Sequence, residues 1–270
     1  MNHSYIPPLS QDQDALSHAM GQFFDNPVTY NPFVAKALGS TKAAILLDHL
    51  VEQEAKGDHG AQLNHLAQET GLGLTEVRTA LQILENAEVI QLESKFTNGC
   101  VYSVSPYFMG DLVARLEERN GIDGHLILDM MNPISINRLH IRTIKDQGGS
   151  ANAAILLSFL LGIMSNNDRQ NKPELTEWFE SNDSLWLCMT GMSEKELRNA
   201  KKTLITLGYL QRSKSGMPAR VLFRLNMKFL ADSTWAFATK SNTNNNHVAK
   251  SSSTTRSLAF SHHPADLRAS

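Results

Sequence analysis

The sequence predicts an α+β, mainly α fold made of two tandem copies of one helical unit, followed by a disordered C-terminal tail. Three observations support this prediction: an internal repeat, a glycine turn between two helices in each copy, and a change from helical to alternating periodicity after those helices. The chain has 270 residues, of which 41% are hydrophobic, so two units can each bury a core.

Two sequence blocks recur in the same order. The pattern GSxxAAILLxxL begins at Gly39 and returns at Gly149, and a second block begins with Thr-Gly at Thr70 and at Thr190. The offset is 110 positions for the first block and 120 for the second, so the second copy has ten extra residues between the blocks. Two matches in the same order indicate a duplicated domain.

The first block predicts a long helix in each copy, capped by Ser40 or Ser150 and ended in the first copy by Gly57. A second short helix, over residues 62–69 or 184–189, stops at Thr-Gly, where glycine accepts the left-handed conformation of a tight turn. A third helix then begins, so each copy contains a helix-turn-helix.

The start of the third helix differs between the copies. Ser193 and Glu196 form a capping box in the second copy. The first copy has Gly73 and Glu76 at these positions, so it keeps only the carboxylate half.

After the third helix each copy alternates between apolar and polar residues, which predicts a β-hairpin. The paired segments are residues 88–93 with 100–105, and 209–214 with 219–225. Trp178-Phe179 is expected to supply a short third strand in the second copy. A hairpin placed after a helix-turn-helix makes a winged helix, so the prediction becomes two tandem winged helix-turn-helix domains.

The remaining segments have simpler compositions. Residues 107–120 predict an amphipathic helix, and residues 121–135 read as a connector. The Ser-, Thr- and Asn-rich sequence beyond Lys240 predicts disorder. The predicted division is a flexible segment 1–26, winged-helix domain one 27–106, linker helix and connector 107–136, basic winged-helix domain two 137–231, and a disordered tail 232–270.

The net charge of -2 averages over two regions of opposite sign. Residues 1–135 carry 7 Lys or Arg against 17 Asp or Glu, whereas residues 136–230 carry 14 against 8. A basic region is the electrostatic signature of a nucleic-acid surface. We therefore expect double-stranded DNA as the partner of the second copy.

On the third helix of the second copy, four polar residues lie opposite the apolar stripe, at i, i+3, i+4 and i+7. Arg198 is suited to a two-pronged contact with guanine, Asn199 to adenine, and the lysines to phosphates. The adjoining hairpin adds further cations. The predicted DNA-binding residues of this copy are Lys195, Arg198, Asn199, Lys202, Arg212, Lys214, Arg220 and Arg224.

The equivalent face of the first copy is nearly uncharged and holds Thr75, Arg78, Thr79 and Gln82. Its hairpin offers Lys95 against Glu88 and Glu93. Weak affinity for phosphate is expected, so this copy either reads bases after the second copy has anchored the chain or contacts a protein.

Other chemistry has little support. The sequence has no phosphate-binding loop, no H-E-x-x-H metal motif and no nucleophile motif, so we expect no enzyme activity, no metal and no cofactor. No apolar run has the length of a bilayer span, and residues 1–14 lack the pattern of a signal peptide. The expected location is cytoplasmic, in association with the nucleoid, without membrane contact.

The segment from Trp178 to Ser181, the block from Thr190 to Ala200, and Gly216-Met217-Pro218-Ala219-Arg220 resemble winged-helix proteins of phages, plasmids and integrated elements, many of them replication initiators or replisome organisers. The resemblance covers residues 149–230 well and the first copy more loosely. It implies origin recognition in a mobile element.

Three functions remain open at this point. A replication initiator would bind repeated origin sites and recruit host replication proteins. A transcriptional regulator would act as a homodimer on a palindrome and contact the transcription proteins of the host. The third alternative is a partner-binding scaffold without DNA contact.

Overall fold

The computed structural model describes residues 27–96, 99–120, 132–168, 178–217, 220–237 and 239–240. These residues form an α+β structure that is mainly α-helical, as the sequence predicts. The predicted flexible segment 1–26 and the part of the predicted tail beyond residue 240 lie outside the described residues.

The first copy consists of helices followed by a hairpin, with short strands before the first and third helices. Its elements, in order, are β1 (Val28–Tyr30), α1 (Pro32–Leu38), α2 (Thr41–Ala55), β2 (Gly60–Gln62), α3 (Leu63–Thr70), α4 (Leu74–Asn86), β3 (Ile90–Phe96) and β4 (Gly99–Val104). The amphipathic helix predicted after this copy is α5 (Phe108–Asn120).

The second copy repeats this order. Its elements are β5 (Ile134–Ile136), α6 (Arg138–Asp146), α7 (Ala151–Asp168), β6 (Phe179–Glu180), α8 (Asp183–Thr190), α9 (Glu194–Leu207), β7 (Leu210–Ser215) and β8 (Arg220–Leu225). A further helix, α10, follows over residues 227–237 and 239–240.

The glycine turns have the predicted geometry. Gly71 ends α3 and Gly191 ends α8, both in the left-handed region with φ of 73° and 63°. At the start of α9, Ser193 and Glu196 form the predicted reciprocal capping box. At the start of α4, the Glu76 carboxylate accepts a 2.8 Å hydrogen bond from the Gly73 N–H, so only the carboxylate half is present.

Each hairpin receives one extra strand and becomes a three-stranded antiparallel sheet. The strand orders are β2-β4-β3 and β6-β8-β7. The short strand of the second copy begins at Phe179, which lies opposite Phe223 of β8. Its counterpart in the first copy, β2, has no distinct sequence signal.

The two copies are joined by a third sheet that the repeat did not predict. Strand β1 pairs antiparallel with its counterpart β5, and Thr29 lies opposite Ser135 at the centre. Each strand leads to an asparagine, Asn31 or Asn137, whose side chain caps the following helix. The repeat therefore extends upstream of the matched sequence blocks, and at this sheet the copies are related by an approximate two-fold rotation.

The first helix of each copy packs on the short helix that precedes the glycine turn of the other copy. The Tyr30 hydroxyl, just before α1, donates a 2.6 Å hydrogen bond to the Thr190 carbonyl at the end of α8. In the opposite direction, Arg138 of α6 pairs with Glu69 of α3 at 2.6 Å. One cluster of buried apolar residues accordingly extends through both copies.

Two predicted boundaries require correction. Residues 134–136, assigned by sequence to the connector, form β5, because their backbone pairs with a strand 106 positions away. Residues 232–237, assigned to the disordered tail, are helical. Ser233 and Thr234 are buried there, and the Ser233 hydroxyl donates to the Tyr209 hydroxyl at 3.1 Å, so contacts with the second copy stabilise a segment of weak apolar character.

Candidate nucleic-acid interface

Helix α9 presents one polar face and buries the other. Leu197, Ala200 and Leu204 are its buried residues, at the spacing of a helical stripe. The predicted DNA-binding residues of the helix are all exposed: Lys195, Arg198, Asn199 and Lys202.

The hairpin places its cations at different positions. Arg212 and Lys214 are exposed on β7, opposite Phe223 and Val221 of β8. Arg220 is exposed as well, and its guanidinium pairs with the Glu180 carboxylate at 3.0 Å. The hairpin therefore offers three cations that solvent reaches.

Arg224 has a different environment from the other predicted residues. Its Nε and Nη2 donate to Gln211 Oε1 at 3.0 and 2.7 Å. Its guanidinium carbon lies 5.0 Å from the ring centroid of Trp178, which is a cation–π distance. Arg224 is half-buried and its contacts are with neighbouring side chains of the second copy, so it does not belong to the group of exposed cations.

A cleft of about 790 Å³ lies between α9 and the sheet. Arg198 and Lys202 line it from the helix, and Arg212 and Arg220 line it from the hairpin. Apolar side chains form much of the remaining wall, and two of the lining side chains are acidic. The other lining residues are Glu180, Ser181, Asp183, Lys201, Ile205, Thr206, Val221 and Phe223.

Lys201 is a residue of the cleft that the sequence reasoning missed. Its side chain is 15% exposed, and its ammonium pairs with the Asp183 carboxylate at 2.6 Å. The same ammonium lies 5.8 Å from the ring centroid of Trp186 and 5.7 Å from that of Phe223. Alignment of the two copies could have identified Lys201, because the first copy has Leu81 at the corresponding position.

The Asp183 carboxyl is held ionised. Burial raises its pKa, but hydrogen bonds from Lys201 and Ser181 outweigh that effect and hold the pKa below its ordinary value. Asp183 therefore faces Lys201 as a full negative charge at neutral pH.

The first copy exposes its four predicted residues on α4 without a comparable charge. Thr75, Arg78, Thr79 and Gln82 are exposed, and the Thr79 hydroxyl donates to the Thr75 carbonyl at 2.9 Å. The Lys95 side chain lies outside the described residues. Arg78 is the single cation among these four positions, so this surface has little attraction for phosphate.

The start of α4 is engaged within the protein. Glu76 pairs with Lys42 at 3.0 Å and with Lys145 of α6. Burial opposes its ionisation, but hydrogen bonds from Lys145, the Gly73 N–H and Lys42 lower the pKa of Glu76 to about 2. The start of α4 is therefore bonded to the second copy through Lys145.

Comparison with protein-family models, curated protein sequences and solved structures returns no match to this chain. Within the described residues, no group of three or more His, Cys, Asp or Glu side chains is arranged to hold a metal ion. In the same part of the chain, no helix combines the length and apolar character required to cross a membrane.

Proposed function

We propose that this protein binds double-stranded DNA through two winged helix-turn-helix units, with the second copy as the anchor. The observation that carries the proposal is the cleft between α9 and the hairpin, where Arg198, Lys202, Arg212 and Arg220 converge from two elements. A helix and a hairpin of like charge, side by side, suit a helix in the major groove with the hairpin against the backbone.

The order of elements supports the same proposal. Each copy has four helices, with a glycine turn between the third and fourth, a short strand before the third, and a hairpin after the fourth, so its last three helices and the hairpin form one consecutive unit. This is the order expected of a winged helix-turn-helix. The exposed face of α9 carries Arg198 and Asn199, the side-chain types that read guanine and adenine by paired hydrogen bonds.

Among DNA-binding roles, we propose replication initiation at the origin of a mobile element, with host replication proteins as partners and a cytoplasmic, nucleoid-associated location. The duplicated unit and the resemblance of residues 149–230 support this role. The approximate two-fold relation at β1 and β5 favours transcriptional regulation as the second candidate, because two-fold related units suit a palindromic operator.

The DNA proposal is tested by comparing matched double variants of the two copies. Arg198→Ala with Lys202→Ala removes two cations of α9, and Arg78→Ala with Gln82→Ala changes the equivalent positions of α4. Fluorescence anisotropy with the duplexes selected by the wild-type protein from a random pool gives the affinity. We expect roughly a hundredfold loss for the first variant, from one base contact and one phosphate contact, and a much smaller loss for the second.

The same selection separates the two candidate functions. Direct repeats near the gene for this protein would support initiation, whereas an inverted repeat overlapping a promoter would support regulation. If the Arg198 and Lys202 double variant keeps its affinity and the Arg78 and Gln82 double variant loses it, the first copy would be the main DNA-binding unit. Absence of duplex binding by the wild-type protein would overturn the proposal as a whole.

A further inference from the structure

The ion pair between Asp183 and Lys201 stands where the other copy has two leucines. By the offset of 120 positions, Asp183 corresponds to Leu63 and Lys201 corresponds to Leu81. Leu81 is buried, and Leu63 is partly buried against the core. The fold is therefore built in the first copy with apolar side chains at both positions, so the unit does not require a charge pair there.

The apolar surroundings of Lys201 raise the free-energy cost of its positive charge. The aromatic rings of Phe179, Trp186 and Phe223 form a cluster with centroid separations of 6.1 to 6.5 Å, and Lys201 lies against two of them. A cation that is largely removed from water needs a partner of opposite charge. Asp183 supplies that partner, and because its side chain is 56% exposed, solvent and a ligand in the cleft can reach it.

On the basis of the proposed function, we propose that Lys201 binds a backbone phosphate of DNA and that Asp183 occupies Lys201 in the free protein. A backbone phosphate that enters the cleft takes the place of the Asp183 carboxylate as the partner of Lys201. Lys202 and Arg212 line the same cleft, so the phosphate is held by several cations at once. Weakly placed DNA does not displace the carboxylate, and the pair thereby limits binding to duplexes that fit.

The proposal predicts that the effect of Asp183 on DNA affinity depends on the presence of Lys201. Asp183→Asn removes the competing charge, and affinity for a duplex of unrelated sequence should rise about fivefold, the order expected for an ion pair whose acidic partner is exposed to solvent. Lys201→Leu introduces the first copy's residue, and affinity should fall. The negative slope of the logarithm of the association constant against log salt should become shallower by about 0.9, as for one lost phosphate contact. In the Lys201→Leu background, Asp183→Asn should have little effect.

The experiment is fluorescence anisotropy of the full chain with duplex DNA over a range of KCl concentrations, for the wild type, both single variants and the double variant. Asp146→Asn is the matched control, because Asp146 is an exposed acid on α6 that pairs with Lys240 away from the cleft. Thermal unfolding of each variant reports whether the fold is retained, and the leucine variant uses a residue that the fold already accommodates.

Two results would overturn this inference while leaving the DNA proposal standing. The first is an unchanged salt slope in Lys201→Leu, because Lys201 would then make no phosphate contact. The second is an equal gain from Asp183→Asn with and without Lys201, because Asp183 would then repel DNA directly. If the wild-type protein binds no duplex, the proposed function itself fails.

Discussion

The two copies keep three buried positions on their last helix and differ on the surface beside them. Val77, Ala80 and Leu84 of α4 correspond to the buried residues Leu197, Ala200 and Leu204 of α9. On the exposed face, Gln82 of the first copy corresponds to Lys202 of the second. The helical unit therefore accommodates either a neutral or a basic exposed face on the same core. The charge of the second copy can be changed without changing its fold.

The largest expected effect concerns the glycine turns, where the copies should differ in degree. A Cβ on Gly191 would lie 2.2 Å from the Pro32 carbonyl oxygen, whereas one on Gly71 would lie 2.9 Å from the Ile141 side chain. Both positions have positive φ, which already costs about 1–2 kcal/mol for alanine. We expect Gly191→Ala to lower the free energy of unfolding by about 4 kcal/mol and Gly71→Ala by about 2 kcal/mol, measured by urea denaturation.

Equal losses in the two glycine variants would contradict this prediction. The difference rests on what each turn meets, since the backbone of α1 must move in one case and a side chain yields in the other. Gly57→Ala is a useful control, because Gly57 also has positive φ but would meet nothing within 4 Å.

Each long helix contains a buried polar group at the same position of the repeat. Asp48 of α2 and its counterpart Ser158 of α7 each have a buried oxygen that, among the described residues, has no hydrogen-bond partner. Burial raises the pKa of Asp48 to about 7, although a backbone hydrogen bond from Asn31 opposes the rise. The ionised form therefore destabilises the folded state at alkaline pH.

The sign of the pH dependence follows from that raised pKa. The destabilisation is absent below the unfolded value of 3.8, grows as the pH rises towards about 7, and then stays constant. We expect Asp48→Asn to stabilise the protein by about 1–3 kcal/mol at pH 8.5 and by little at pH 4. Ser158→Ala should show no such pH dependence in the same denaturation series, and a constant difference for Asp48→Asn would refute the assignment.

The smallest expected effect is that of the carboxylate at the start of α4 and of α9. Glu76 pairs with Lys42 and Lys145, whereas Glu196 accepts hydrogen bonds from Asn152 and Ser193. The lowered pKa of Glu76 means that its contribution to stability is present above its unfolded value of 4.5 and is lost as the pH falls through about 2.

Accordingly, we expect Glu76→Gln to cost about 1–2 kcal/mol at pH 7 and Glu196→Gln about 0.5–1 kcal/mol. The difference between Glu76→Gln and the wild type should shrink as the pH is lowered towards 2, where it can be followed by urea denaturation with circular dichroism. A larger loss in the Glu196 variant would show that the two lysines add nothing to the first copy.

The sequence predicted those features whose signals are local. Helix α9, the Gly191 turn and the cationic positions Arg198 and Lys202 follow from periodicity, turn chemistry and spacing within a few residues. Lys201 could not be found this way, because its side chain reaches the cleft only through packing against the sheet. The prediction of DNA binding rests on the same local signals and on the resemblance, and the experiments above test it.

The pairing of β1 with β5 was hidden for a different physical reason. Each strand has three residues, too few to show an alternating pattern, and the partner lies more than a hundred positions away in the chain. Such a pairing is stabilised by the contacts of the folded protein rather than by local preference. The helices α1 and α6 were missed with them, since α1 is only seven residues long and mostly buried.

Under the proposed function, the joining of the two units at the β1–β5 sheet within one chain also determines how occupancy of DNA should depend on protein concentration. Units that meet only after two chains associate become separate at high dilution, and their binding curves steepen because assembly precedes binding. In this protein both units belong to one covalent chain, so each has the other at a fixed, high effective concentration. With a duplex that carries a single site, the proposed DNA binding should therefore follow a simple one-to-one isotherm even at nanomolar protein.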